Sequence, residues 1–267
     1  MRVLLPVAAT ALAFAAPAAA QETADWSGPY AGVAVGLDFQ GDDGNNGQVF
    51  DTNLDGNFND TVRTAAGANA FGPGFCNGRA GSTTPAQGCG TDDDRLGFSG
   101  HIGYDVQFGN IVVGAVGEFG KTYINDASTS FSTTPASYTL IRDLEYSGNI
   151  RGRAGLALGE FLPYVTGGAA FGRIEHSFAT SNAANAFAVN DASNFQWGYT
   201  AGGGVETKVA PNFSIGVLYL YNNLKDEGGD ISVTRGNAPA TNPFVLTNAG
   251  GTTIRRTDDR FDWHSAR

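Results

Sequence analysis

Histidine, cysteine and positive charge are all scarce in this sequence, and each scarcity removes a class of function. Three histidines in 267 residues leave little for catalysis that needs a base beside a nucleophile. His264 and Ser265 are adjacent, but neighbours on a strand point to opposite faces and form no dyad. His101 falls on the polar face of its segment, and His176 lies near the end of another. The chain is therefore expected not to be an enzyme. The two cysteines, Cys76 and Cys89, share one polar stretch with no histidine nearby. That leaves metal ligation the weaker reading and a disulfide the stronger one. Lysine and arginine number 16 against 26 acids. Nucleic acid selects basic surfaces, so it is not an expected partner. No spanning helix is expected from the apolar run Val3 to Ala16, which is well short of the roughly 20 residues such a helix needs.

That run instead belongs to an export signal. Arg2 precedes it, and "APAAA" closes it with the small-x-small pattern Ala18-Ala19-Ala20. Cleavage after Ala20 divides the chain into a signal peptide, 1–20, and one large domain, 21–267. No cysteine sits at the cleavage point, so a lipoprotein anchor is not expected. One arginine leaves with the signal, so 15 bases face 26 acids, a net charge of −11.

The apolar residues that remain recur with a period of two. "YAGVAVGLDF" sets Ala31, Val33, Val35, Leu37 and Phe39 on one face. "RLGFSGHIGYDVQF" aligns Leu96, Phe98, Ile102, Tyr104, Val106 and Phe108 opposite Ser99, His101 and Asp105. "LIRDLEYSGNIRGRAGL" aligns Leu140, Leu144, Tyr146, Ile150, Ala154 and Leu156 opposite Asp143, Glu145, Asn149, Arg151 and Arg153. The same alternation predicts strands near 28–40, 95–108, 111–123, 139–157, 162–177, 195–209 and 213–224, and an eighth beginning at 260–267. A soluble β-sandwich also alternates. These segments, however, run about ten residues or more, the length a tilted membrane strand needs, against about five or six in soluble sheets. Tight turns such as Gly109-Asn110 alternate with polar excursions near 41–94, 124–138, 177–194 and 225–258. Short turns on one side and long loops on the other are the topology of an outer-membrane barrel. The predicted fold is all-β, an eight-stranded antiparallel transmembrane up-and-down barrel with long outer loops.

Side chains fill a barrel of that size. Its inward charges must pair, because a lone buried charge is costly. The alternation nominates Glu118, Glu145, Arg151, Arg153 and Glu206. They make either a structural ion-pair plug or a gate over a narrow water path.

One loop has the spacing of an ion site. In "DTNLDGNFND", Asp51, Asn53 and Asp55 stand where ligands one, three and five of a calcium loop stand. Gly56 permits the turn at position six, Asn57 offers its carbonyl at seven, and Asn59 falls at nine. Position twelve is Val62, so the usual bidentate carboxylate is missing and Asp60 would have to substitute. The alternative is an Asx-rich turn with no ion. Calcium is the one ion the loop would take, and no cofactor is otherwise required.

The segments "WSGPYAGVAVG", "GYDVQFGNIVVGAVGEF", "LPYVTGGAAFG" and "WGYTAGGGVE", behind an export signal, together resemble the OmpA-like outer-membrane β-barrel proteins. The likeness is nearest to the small porin-family surface antigens of alphaproteobacteria, and "FSTTPASYT" is similar to that group too. The resemblance spans essentially the whole mature chain. It implies residence in the outer membrane of a Gram-negative bacterium and contact with lipid, lipopolysaccharide and the barrel-assembly machinery. It also implies a structural, adhesive or antigenic role toward some surface ligand, with no established chemistry. The family's interior ion pairs carry over to Glu118, Arg151, Arg153 and Glu206. Leu218 departs from the pattern, standing where an inward acid is expected. No peptidoglycan-binding domain is expected after the barrel. The last strand stops about seven residues in, without the terminal aromatic the family implies, so it is expected to be incomplete. A narrow porin for small solutes is the competing function.

Overall fold

The computed structural model describes residues 24–41, 47–90 and 95–267. The expected signal peptide lies outside them. In chain order the strands are β1 (Gly28–Phe39), β2 (Gln48–Asp51), β3 (Gly74–Asn77), β4 (Arg95–Phe108), β5 (Ile111–Lys121), β6 (Asn125–Ser132) and β7 (Ala136–Leu156). There follow β8 (Phe161–Thr180), β9 (Ala186–Val189), β10 (Ser193–Ala210), β11 (Phe213–Lys225), β12 (Ile231–Thr234), β13 (Thr252–Arg256) and β14 (Arg260–Ala266). The eight longest coincide with the eight alternating segments except β14, which β6 exceeds by one residue. One four-residue helix, α1 (Pro243–Leu246), lies between β12 and β13. The side chain of Asn242 caps it by accepting from the Phe244 N–H at 3.1 Å.

The long strands belong to one antiparallel sheet in the order β3-β6-β7-β5-β4-β1-β14-β11-β10-β8, and β7 also pairs with β8. β14 pairs with β11 from Tyr219↔Ala266 to Lys225↔Arg260. Its pairing with β1 covers Leu37↔Ala266 to Phe39↔His264. The hairpin β4–β5 turns at Gly109, where φ is 61°, a conformation glycine adopts without steric cost.

Burial alternates along these strands as the period of two requires. Val33 is 88% exposed, and Ile102, Ile150, Val165 and Val217 are also exposed. Their inward neighbours, including Asp105, Arg151 and Arg153, are buried. Apolar outside and charged inside inverts a soluble protein, and it is the pattern lipid demands. Aromatic rings mark both margins of the apolar band. Phe108, Phe161 and Phe213 border the short-turn end. At the other end Tyr146 lies 5.5 Å from Phe119, Phe171 lies 5.6 Å from Phe195, and Phe195 lies 5.5 Å from Trp197.

Two features depart from the sequence expectation. The first is a β-bulge in β7. Leu144 faces Ile174 and Tyr146 faces Arg173, so one extra residue is inserted between them. A one-residue shift reverses every side chain beyond it. Leu140 and Leu144, expected on the lipid face, are therefore buried. Glu145, expected in the lumen, faces out and pairs with Arg173 at 3.2 Å, both side chains being 40% exposed or more. The second departure is that the polar excursions are folded. β2, β13, β12 and β9 form a separate four-stranded sheet, and β6 extends the β5 wall upward against β7. Phe50, Val62, Phe71, Tyr138, Val233, Phe244 and Ile254 pack together beneath that sheet. Phe71 is the hub, with ring centroids 4.5 Å from Phe50, 5.2 Å from Tyr138 and 5.8 Å from Phe244. Each such side chain contributes about 1.5–3 kcal/mol by burial, enough to hold loops as a cap.

Candidate functional site

The interior is built in layers that follow residue order along the strands. At the short-turn end Trp26 packs with Val112, Ala157 and Leu162. Its backbone N–H donates to Gln107 Oε1 at 2.8 Å. Above this floor Arg153 is caged. Its Nε donates to Asp105 Oδ1 at 3.0 Å and its Nη1 to Glu206 at 2.7 Å. The rings of Tyr30 and Tyr164 flank it at 4.7 and 5.0 Å, in cation–π range. Arg151 pairs with Glu118 at 2.5 Å. Arg267 joins the same carboxylate, donates to Ser99 Oγ at 2.7 Å and lies 3.7 Å from Asp38. An apolar layer of Ile124, Leu144, Ile174, Leu224, Phe261 and Trp263 follows.

A second buried ionic cluster lies above that layer and under the cap. Arg142, 1% exposed, pairs with Asp126 and reaches Asp226 and Asp258 at 3.2 Å each. It also donates to the Arg260 carbonyl at 2.9 Å. Arg256 joins Asp126 at 2.8 Å, and His176 Nε2 meets Asp226 at 2.9 Å. These residues come from β6, β7, β8, β13 and both ends of the last excursion, so the cluster ties the cap to the wall. Burial pushes the Asp126 and Asp226 carboxyls up. For Asp126 the charges of Arg142 and Arg256 outweigh that, and for Asp226 the His176 hydrogen bond and the Arg142 charge do so. Both are held below the ordinary carboxylate range. A depressed value means that their stabilisation is present above about pH 4 and is lost as pH falls below it.

Of the sequence-nominated lumen residues, Glu118, Arg151, Arg153 and Glu206 meet inside, while Glu145 does not. Asp38 and Asp105 were on the polar faces of their segments, a signal strong enough to nominate them. Arg142 and Asp126 carried no such signal, because the bulge hides the facing of one and the other sits in a polar excursion.

The loop from Asp51 to Asp60 forms a ladder of Asx turns. Asp51 Oδ1 accepts from Leu54 N at 2.7 Å and Asp51 Oδ2 from Gly56 N at 2.8 Å. Asn53 Oδ1 accepts from Asp55 N at 2.9 Å, and Asp55 Oδ1 from Asn57 N at 2.8 Å. The Asn57 N–H holds the exposed Asp55 carboxyl below its ordinary range. Asp60 Oδ2 accepts from both the N–H and the hydroxyl of Thr52 at 2.9 Å. Asn59 is exposed, and Val62, at position twelve, is buried in the cap core. Packing takes the place where a ligand carboxylate would stand. Among the described residues no group of three or more His, Cys, Asp or Glu could hold a metal ion.

Cys76 and Cys89 form a disulfide, with Cα atoms 6.0 Å apart. Cys76 lies on β3, which pairs with β6, so the bond staples residues 77–89 to the extended wall. Replacing both cysteines by serine is expected to cost about 3 kcal/mol, local to this segment. Limited proteolysis should show faster cleavage within 77–90 and unchanged barrel mobility on a detergent gel.

Long strands with an apolar exterior between aromatic margins, a charged interior and folded loops at one end define an outer-membrane β-barrel. The chain belongs to the outer membrane protein beta-barrel domain family, whose model matches residues 61–240. It is 32% identical over 144 residues to the 22 kDa outer membrane protein of Rhizobium leguminosarum bv. viciae, covering 53% of this chain and 60% of that one. It is 26% identical over 143 residues to the 25 kDa outer-membrane immunogenic protein of Brucella abortus, covering 54% and 58%. The chain thus spans about three-fifths of the length of these curated relatives. Among solved structures, the outer membrane protein OprG from Pseudomonas aeruginosa aligns over 90% of this chain and 93% of that one, with 13% identity and a TM-score of 0.44. The protein is an outer-membrane protein, and its relatives are those the sequence resemblance implied.

Proposed function

We propose that the chain forms a closed, eight-stranded, non-conducting barrel that displays an ordered cap outside the cell as a structural or interaction platform. The observation that carries this reading is Arg153. It is held by two carboxylates and two aromatic rings at the level where a solute would have to pass. An ion path would require breaking a buried pair, at several kcal/mol. The apolar layer around Phe261 and Trp263 lies above it. The Brucella relative is named an immunogenic protein, and the cap is the part of this chain that faces outward. Expected partners are lipid and lipopolysaccharide at the wall, the assembly machinery, and a ligand at the cap.

Planar-bilayer recording tests the reading against a narrow porin. The refolded protein should give rare, small openings at most, and its folded form should outrun the boiled form on a detergent gel. Steady conductance in the unaltered protein would establish the porin instead.

The 51–60 loop is proposed to take calcium weakly, in the about 10⁻⁴–10⁻³ M class of extracellular modules, on the sequence spacing of Asp51, Asn53 and Asp55. Millimolar calcium should raise protease resistance across 51–62, and Asp51→Ala with Asp55→Ala should abolish the gain. Absence of any heat of binding in calorimetry would leave a plain Asx turn.

A further inference from the structure

We propose that a groove on the lipid-facing wall, between β1, β4 and β5, seats one acyl chain of lipopolysaccharide and holds its phosphate at Lys121. Such a site presupposes the lipid contact proposed above and gives it a place on the wall. Val33 stands opposite Gly100, and Val35 opposite Phe98. Across the other edge of β4, Gly100 faces Phe119 and Phe98 faces Lys121. All of these positions are exposed on the outer face. The side chains of Val33, Val35, Phe98 and Phe119 therefore stand around a position that has none.

The groove they border has a volume of about 490 Å³, within the roughly 300–1,000 Å³ of small-molecule sites. A Cβ at Gly100 would meet only the Gly32 carbonyl oxygen, at 3.9 Å. The barrel itself thus makes no steric demand for glycine here. On the inner face it does, because a Cβ at Gly97, Gly103 or Gly114 would collide with Asp38, Tyr30 or Asp105. Lipid tails are as apolar as the wall, so apolarity alone selects nothing. A depression does select, because a chain lying in it gains packing contacts on three sides.

Charge supplies the second half of the site. Lys121 is the next outward residue of β5 beyond Phe119, whose ring stands at the aromatic margin on the cap side. Its ammonium lies 5.3 Å from the centroid of the Tyr123 ring and forms no ion pair among the described residues. Other exposed cations near this margin are already matched, Arg173 with Glu145, Lys225 with Glu227 and Arg260 with Asp259. Lys121 places an unmatched positive charge at the mouth of the groove, in a chain with 26 acids against 16 bases.

The occupant follows from the two halves. An apolar chain in the groove with an anionic group at Lys121 is the outline of a phosphorylated lipid. The groove lies toward the cap end, so it opens to the outer leaflet. There lipopolysaccharide carries its phosphates on the sugars that bear its acyl chains, at the edge of the apolar band, which is the level of Lys121. The outer face of β1, β4 and β5 carries no acid. A second copy of the chain docked by the same face would therefore offer Lys121 no partner.

The test uses the full chain refolded in detergent and titrated with purified rough-type lipopolysaccharide, bound lipid being counted by native mass spectrometry. The unaltered chain should retain one molecule, and phosphatidylglycerol at the same concentration should not displace it. Lys121→Gln should weaken binding about tenfold, as should dephosphorylating the lipid, since each removes one charge-assisted contact. Gly100→Leu, which fills the notch, should weaken it by about as much. Gly152→Leu is the control, because its Cβ also points to lipid with nothing nearer than the Gly114 carbonyl at 4.0 Å. It should bind like the unaltered chain. Unchanged binding in Gly100→Leu or Lys121→Gln, displacement by phosphatidylglycerol, or a lipid-free dimer would overturn the site. If Gly100→Leu loses heat modifiability, Lys121→Gln decides. A chain that retains no lipopolysaccharide yet stays non-conducting overturns the site and leaves the platform barrel standing, whereas steady conductance removes the platform reading itself.

Discussion

Arg153→Ala should destabilise the barrel by about 3–5 kcal/mol, the usual result of stripping one partner from a buried ion pair. Two acids lose their counter-charge at once. Asp105 has a side chain 1% exposed, and Glu206 is 21% exposed. Asp105 carries most of the cost, because Glu206 can still find water. Tyr30 and Tyr164 also lose the cation between their rings. The measurement is the urea dependence of the folded band on a detergent gel, run beside bilayer recording. A less stable barrel with more frequent openings supports a plug. Arg153→Ala together with Asp105→Asn should recover part of the loss, since the stranded charge is then gone. A change within about 1 kcal/mol, the range of an exposed pair, would mean that water reaches this layer freely.

Arg142→Ala should be equally costly but in a different place. The guanidinium engages Asp126, Asp226, Asp258 and the Arg260 carbonyl, and its removal leaves Asp126 with Arg256 alone, Asp226 with His176 alone and the partly exposed Asp258 without its guanidinium partner. The expected loss is again about 3–5 kcal/mol, felt by the cap and not by the lower wall. Amide exchange should accelerate across 124–144 and 226–260, while the folded band on a gel persists. Arg173→Ala is the control. Its pair with Glu145 is exposed on both sides, at 45% and 40%, and should cost at most about 1 kcal/mol. Loss of the folded band in Arg142→Ala would mean that cap and wall unfold as one unit.

The wall was legible because period-two alternation over ten or more residues has one physical meaning. The lumen was legible as far as facing decides it, hence Arg151, Arg153, Glu118 and Glu206. Partners were not. Arg153 meets Glu206 from 53 residues away, and sheet register, which decides such meetings, is not written locally. The bulge between Leu144 and Tyr146 hid Arg142, since a single inserted residue leaves the apolar pattern intact on either side while reversing its sense. The cap hid for another reason. Phe50, Val62, Phe71 and Phe244 stand in short apolar stretches within Gly/Asn/Thr-rich text, and their cluster exists only once distant segments meet.

β7 and β8 run 21 and 20 residues from the membrane band into the cap, their ladder broken at the one bulge between Leu144 and Tyr146. A strand rises about 3.4 Å per residue, and a tilted crossing uses about 9–11 residues. Each ribbon therefore has roughly ten residues, about 30 Å of strand, standing clear of the lipid. These are paired struts whose ladder is offset at the β7 bulge. A load applied at the tip, by an antibody or a neighbouring cell, reaches the wall as bending of two paired ribbons, with no slack loop to absorb it.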